Sequence, residues 1–188
     1  MIKKINFIKK IKYFFLKPKF VLLFGDNFNL TEKIILNIEN NLKIINANNL
    51  DISILIFLLK NSTSPILVFK NEKEIAHYKI KAIVNNLPSS GSIAFNKNNS
   101  AKETFKTKLS PTQVYSFSLN RKADLTLTKL HKNHGTNFKI NYKGNSVPFW
   151  VKDRLSQNKG IDLLAAITVG VILKNNLVKI SQILKEKN

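Results

Sequence analysis

The chain has 188 residues, 44% of them hydrophobic, no cysteine and a formal net charge of +20. That length suits a domain of ordinary size with a real core, which excludes wholesale disorder. The missing thiols exclude disulfides and thiolate metal sites. Lys far outnumbers Arg. Such a charge draws in nucleic acid or an anionic membrane, but Lys lacks the planar fork that reads phosphate and base edges in pairs, so nucleic acid is not the expected partner. Lys, Asn and Ile are abundant together, as an AT-rich coding sequence would also produce.

Residues 1–18 form a basic, amphipathic stretch. Ile2, Ile5, Ile8, Ile11 and Phe15 recur at spacings of three and four with lysines between them, which predicts a helix that Pro18 ends. Such a helix lies on an anionic membrane surface or packs its apolar face on the domain, and the second is the default expectation. Its apolar run, residues 13–16, is too short for a secretion signal. No segment reaches the roughly 18 apolar residues of a membrane span; the longest, residues 52–59, carries Ser53. A cytoplasmic protein is expected.

Residues 20–24 (Phe-Val-Leu-Leu-Phe) and 65–69 (Pro-Ile-Leu-Val-Phe) read as strands buried on both faces. Helices are expected at 30–40, 72–87 and 101–109, further strands at 42–47 and 91–95, and residues 52–59 fit either type. From Gln113 the pattern alternates apolar and polar at 114–119, 125–130, 137–142 and 146–151, which predicts antiparallel strands with one wet face. Helices over 161–173, largely buried, and 177–184 close the chain. The fold class is α/β: a mostly parallel sheet flanked by helices, with an antiparallel portion in the C-terminal half. After the N-terminal helix, residues 19–188 are expected to form one domain, made of an α/β part (19–110), antiparallel strands (111–152) and C-terminal helices (153–188).

A strand that runs through a Gly turn into a helix can hold phosphate on backbone N–H groups and the helix dipole. A working phosphate loop adds a Lys and a metal-binding Ser or Thr. Here the loop is Gly25-Asp26-Asn27-Phe28-Asn29-Leu30-Thr31-Glu32-Lys33. With the preceding Lys17-Pro18-Lys19-Phe20, it resembles the start of the central, ATP-binding domain of the Mur ligases, where a Lys-Pro-led strand enters Gly-Ser-x-Gly-Lys-Thr. Residues 85–96, 114–125, 135–140 (Gly-Thr-Asn-Phe-Lys-Ile) and 155–170 resemble later segments of that domain, in order and spacing. The pattern is most similar to the ligase that adds D-alanyl-D-alanine.

The resemblance implies a P-loop-like fold, ATP and Mg²⁺ as the family's cofactors, and acid–amino acid ligation in peptidoglycan precursor synthesis. It also implies that the site has degenerated. Gly25 keeps the first glycine and Thr31 a later hydroxyl, but Phe28 replaces the second glycine, Asn29 the phosphate-binding Lys and Leu30 the Mg²⁺-binding Thr. Asp26 adds a negative charge. Asn158 and Asp162 stand where the family has nucleotide-holding His and Asn, Lys159 replaces another Asn, and Ser156 replaces a Gly. The chain is short between 47 and 75, where the family carries a Mg²⁺-binding Glu, and the family's first and last domains are expected to be missing. Losing one transition-state contact costs about 10²–10³ in rate, so no ligase activity is expected from this chain alone, and neither catalytic residues nor metal ligands are assigned.

The functional expectation is a Mur ligase-like pseudoenzyme, with other cell-wall enzymes as partners. The alternatives are a ligase subunit completed by a chain that supplies the missing domains, and a basic protein binding nucleic acid or, through its N-terminal helix, a membrane surface. Lys33 as a substitute phosphate ligand, Asp51 with Asp124 as paired acids, and His131 with His134 as metal ligands each have a blander account: an exposed helix lysine, solvated turn carboxylates and solvated turn histidines.

Overall fold

Five apolar residues in a row have no polar side chain to offer water, and the strand they form, β1 (Phe20–Phe24), is buried along its whole length. It lies between two parallel neighbours, β2 (Lys43–Asn46) and β3 (Ile66–Phe69), with Val21 opposite Ile44 on one side and Ile66 on the other. The computed structural model describes residues 7–70, 77–97, 105, 110, 113–119, 122–131 and 135–186. The remaining strands are β4 (Ser92–Asn96), β5 (Val114–Ser118), β6 (Leu125–His131), β7 (Thr136–Tyr142) and β8 (Asn145–Val151). All eight belong to one mixed sheet, mostly parallel, in the order β2-β1-β3-β4-β5-β6-β7-β8. The α/β class expected from the sequence is the class observed.

The chain divides into two compact units. The first holds Met1–Asp26, Asn41–Ile93 and Asn99–Val114; the second holds Asn27–Asn40, Ala94–Asn98 and Tyr115–Asn188. In the first unit, helix α1 (Phe7–Leu16) precedes β1, and α3 (Ile52–Lys60) and α4 (His77–Asn85) follow β2 and β3. Residues 52–59, readable as helix or strand, are helical and bury Ile54, Leu55, Leu58 and Leu59 at helical spacing. Phe24 stacks on Phe69 with ring centroids 4.7 Å apart, and Phe69 meets Phe105 at 5.1 Å. Phe105 is helical, but most of the helix expected at 101–109 lies outside the described residues, as do residues 72–76 of the one expected at 72–87.

In the second unit, α2 (Asn29–Ile38) buries Thr31, Ile34, Ile35 and Ile38, one stripe of a 3.6-residue period. Strands β6, β7 and β8 form an antiparallel meander, and β7 alternates buried Thr136, Phe138 and Ile140 with exposed Asn137 and Lys139. One strand departs from expectation: β5 pairs parallel to β6, with Phe117 opposite Leu125. Side-chain bonds accompany this pairing. The Asp124 carboxylate accepts the Ser116 N–H and hydroxyl, each at 2.7 Å, and the Asp124 N–H donates to Ser116 Oγ at 3.0 Å. Asp124 thus holds the start of β6 beside β5, and the two strands run the same way.

Helix α5 spans Gln157–Ile172 and α6 spans Leu177–Glu186. The start of α5 falls four residues before the expected 161, because Ser156 caps it by accepting the Lys159 N–H at 3.3 Å. A Cβ on Gly170 of α5 would lie 2.8 Å from Ile180 and 3.2 Å from Ile38, so glycine allows the close approach of α5 to α6 and α2.

Candidate functional site

The loop after β1 is held differently at its two ends. At the first, within the first unit, Gly25 is buried with φ +125°, a backbone state that L side chains rarely adopt. Its N–H donates to Asn48 Oδ1 at 2.8 Å, and its carbonyl accepts from Asn48 Nδ2 at 2.6 Å. The Asn48 side chain thus extends the β1–β2 ladder one rung beyond Ala47, whose N–H donates to the Leu23 carbonyl. The backbone carbonyl of Asn48 in turn accepts from Lys79 Nζ at 2.8 Å. Burial lowers the Lys79 pKa, and the nearby Asp51 carboxylate partly raises it again. Asp26 follows, exposed.

The rest of the loop belongs to the second unit. Asn27 is exposed at φ +45°. Phe28 is buried at the N-cap of α2, where no side chain caps the helix, and its carbonyl accepts the Glu32 N–H at 2.7 Å. Asn29 is exposed and Leu30 half-buried. Thr31 is fully buried. Its hydroxyl lies 3.3 Å from the Asp162 carbonyl oxygen and 3.4 Å from its carboxylate, so it donates into α5. Asp162 is itself buried, whereas Asn158 is exposed on the first turn of α5. Thr31 and Asp162 are therefore brought together, by a pair of helices rather than by any sequence proximity.

Beside this pair a cleft of about 190 Å³ opens. Leu30, Ile34 and Leu163 give it an apolar floor, and Lys33, Lys152, Lys159 and Asp153 line it with charge. Lys159 Nζ lies 2.9 Å from the Asp153 carboxylate. That hydrogen bond and charge, with the charges of Lys152 and Lys33, hold the Asp153 carboxyl below its usual range. Lys33 is exposed, as expected, but it also borders the cleft. Asn48, Lys152 and Asp153 carry no signal in the sequence: Asn48 stands in a run with Asn46 and Asn49, and nothing local marks which one reaches Gly25.

The proposed acid pair has a separate account for each member. Asp51 is the N-cap residue of α3 in the first unit, and Asp124 pins the β5–β6 loop in the second. His134 lies outside the described residues, and among the described residues no three His, Asp or Glu side chains gather as a metal site. No helix among them is long and apolar enough to cross a membrane.

No protein-family model matches the sequence, and no curated protein does. Solved structures do match. MurF from Acinetobacter baumannii superposes with a TM-score of 0.71 at 12% identity, over 96% of this chain and 47% of that one. The UDP-N-acetylmuramate:L-alanyl-gamma-D-glutamyl-meso-diaminopimelate ligase of Neisseria meningitides gives 0.67 at 12% identity, over 93% of this chain and 67% of that one. Folylpolyglutamate synthetase from Lactobacillus casei gives 0.61 at 9% identity, over 97% and 68%. The chain has the Mur ligase fold. It spans about half the length of the MurF chains it matches. Within the Mur ligase fold, β1, its Gly25 turn and α2 form the strand–loop–helix expected from the sequence, and α5 supplies Asp162 opposite Thr31.

Proposed function

We propose that this chain is a degenerate, non-catalytic relative of the ATP-binding central domain of a Mur ligase, most similar to the D-alanyl-D-alanine-adding type, and that it acts as a partner of cell-wall enzymes. The observation that carries this reading is the engagement of Gly25: its N–H, a donor of the kind that faces phosphate in such loops, is held by Asn48 Oδ1 at 2.8 Å. Three features support it. The hydroxyl of Thr31 is turned into α5 toward Asp162. The family positions for the phosphate-binding Lys and the metal-binding Thr are Asn29 and Leu30; the amide carries no cation, and the alkyl group has no ligand atom for a metal. Phe28 fills a buried position where the family's second glycine lets the backbone approach the phosphate. These residues do not fit ATP with Mg²⁺, so no phosphoryl-transfer step is assigned to them.

Nucleotide titration followed by thermal unfolding tests the reading. A ligand at 100 times its Kd stabilises a protein by about 2.7 kcal/mol, which for a chain of this size raises Tm by roughly 5–10 °C. The expected outcome is no such rise with ATP or ADP, with or without Mg²⁺. A saturable micromolar response overturns the proposal.

The half-length match to MurF favours a second reading, a ligase domain that works only beside further domains. Amide formation that appears when the chain is mixed with a co-purified partner, and not without it, would establish that alternative.

A further inference from the structure

Among the described residues, the segment before β1 carries the most concentrated exposed apolar surface. Among the described residues the large hydrophobic side chains left exposed are Ile11, Phe14, Phe15, Leu16, Leu36, Tyr78 and Val178. Four of these seven lie on the last six residues of α1, and Phe15 is the barest at 77%. The apolar face was expected to pack on the domain; Ile2 and Ile5 of that face lie outside the described residues, and among the described side chains Tyr13 packs, its ring meeting Phe20 edge-on with centroids 5.0 Å apart. At about 100° per residue, Ile11 and Phe15 lie roughly 160° round the helix from Tyr13. Among the described side chains Tyr13 is therefore the attachment, and Ile11, Phe14 and Phe15 form the outward face.

The junction fixes that presentation. Lys17 adopts φ +39°, its N–H donates to the Tyr13 carbonyl at 3.0 Å, and Pro18 stops the helix. The Pro18 carbonyl accepts from Ser62 Oγ at 2.9 Å, and Ser62 Oγ accepts the Phe20 N–H at 3.3 Å. Three residues thus join α1 to a buried strand, with both sides of the joint anchored.

Charge identifies what covers this face. From Met1 to Gly25 the sequence has seven lysines and no acidic residue. Lys12, Lys17 and Lys19 are exposed around the apolar patch. A second copy of the chain would bring seven lysines against seven. Bases can stack on exposed phenylalanines, but a nucleic acid offers nothing to the exposed aliphatic Ile11 and Leu16. An apolar stripe with cations beside it suits the boundary of a bilayer that carries anionic headgroups.

We propose that α1 docks this chain on the surface of an anionic lipid membrane, with Ile11, Phe14 and Phe15 in the acyl boundary and the lysines at the headgroups. This surface is separate from the Gly25 loop, and the proposal does not depend on whether nucleotide binds.

Co-sedimentation of the full chain with vesicles tests it, comparing phosphatidylcholine alone with phosphatidylcholine containing phosphatidylglycerol. Binding is expected to the anionic vesicles and not to the neutral ones. Phe14→Ser/Phe15→Ser should weaken it by roughly tenfold or more, since it removes two large apolar groups from the boundary. Lys12→Gln and Lys17→Gln should each weaken it about fivefold, from roughly 1 kcal/mol per basic residue at such a surface. All four side chains are exposed, so Tm should hold. If the double variant does unfold, Phe15→Trp decides, read as quenching by brominated lipid in excess of that from Trp150 in the parent chain. No binding to either vesicle, equal binding to both, a folded double variant that binds like the parent, or an introduced indole left unquenched on bound protein each overturns the proposal. The last two would mean diffuse adhesion of a chain with charge +20.

Discussion

Strands β1 and β7 show two ways of ordering a strand. In β1 every side chain is buried, so no position has a solvent side. In β7 only Thr136, Phe138 and Ile140 are buried, and Asn137 and Lys139 face water. The first unit therefore relies on dry packing around a central parallel strand. The second relies on alternation in an antiparallel meander, with a charged rim that continues to Lys152, Asp153 and Lys159. The difference predicts where each unit breaks and how sharply.

The largest effect belongs to the dry strand. Phe24 is fully buried, and its ring stacks on Phe69 at 9° between planes. Phe24→Ala removes a full aromatic side chain from a site that cannot collapse without moving β3, which typically costs about 3–5 kcal/mol. Lys139→Ala on β7 is the contrast. Its side chain faces water, and such surface changes usually stay within about 0.5 kcal/mol. Denaturant unfolding of both variants measures the gap. Equal losses would mean that the two strands are not ordered by different means.

The next effect tests the polar exception at the end of the dry strand. Asn48→Ala removes both hydrogen bonds to Gly25 and leaves its N–H and its carbonyl, on adjacent peptide groups, without these partners. Unsatisfied buried groups of this kind cost about 1–3 kcal/mol. The proposed function adds a second expectation: the freed N–H does not restore nucleotide binding, because Asn29 still supplies no cation and Leu30 no ligand atom for a metal. A thermal melt of the variant with and without ATP and Mg²⁺ reads both. Unchanged stability would remove Asn48 as the clamp of the loop, and a nucleotide response would mean that this clamp, rather than the residue at position 29, governs nucleotide binding.

The same contrast explains what can be read in the sequence. Continuous apolar runs at 20–24 and 65–69 and alternation at 137–142 carry their own burial pattern, so strand type and position follow from them. The direction of β5 does not. Two short strands joined by a six-residue connection look antiparallel, and the parallel pairing comes with Asp124 bonded to Ser116, a contact no periodicity encodes. The start of α5 reads late because the apolar run from Ile161 dominates the pattern, although Ser156 is an ordinary cap. The Gly25–Thr31 loop is legible through its resemblance to a known loop. The partners of its residues are not: Asn48 and Asp162 come from 23 and 131 residues away.

The smallest effect lies on the wet rim. The Asp153 carboxylate is hydrogen-bonded by Lys159, and Lys152 and Lys33 add attraction, all of which lower its pKa. A carboxyl with a folded-state pKa below its unfolded value stabilises the fold above the unfolded pKa, and that contribution is lost as pH falls through the folded one. The window is therefore the acid side of the normal carboxylate range. Asp153 is 75% exposed, however, and solvent screens an exposed ion pair strongly. Asp153→Asn should leave the melting temperature at neutral pH nearly unchanged and slightly flatten its fall below the ordinary Asp pKa, with roughly 0.5 M salt imposed on the parent giving the same flattening. A large loss at neutral pH would mean that the rim is structural, and that the second unit is not ordered by alternation alone.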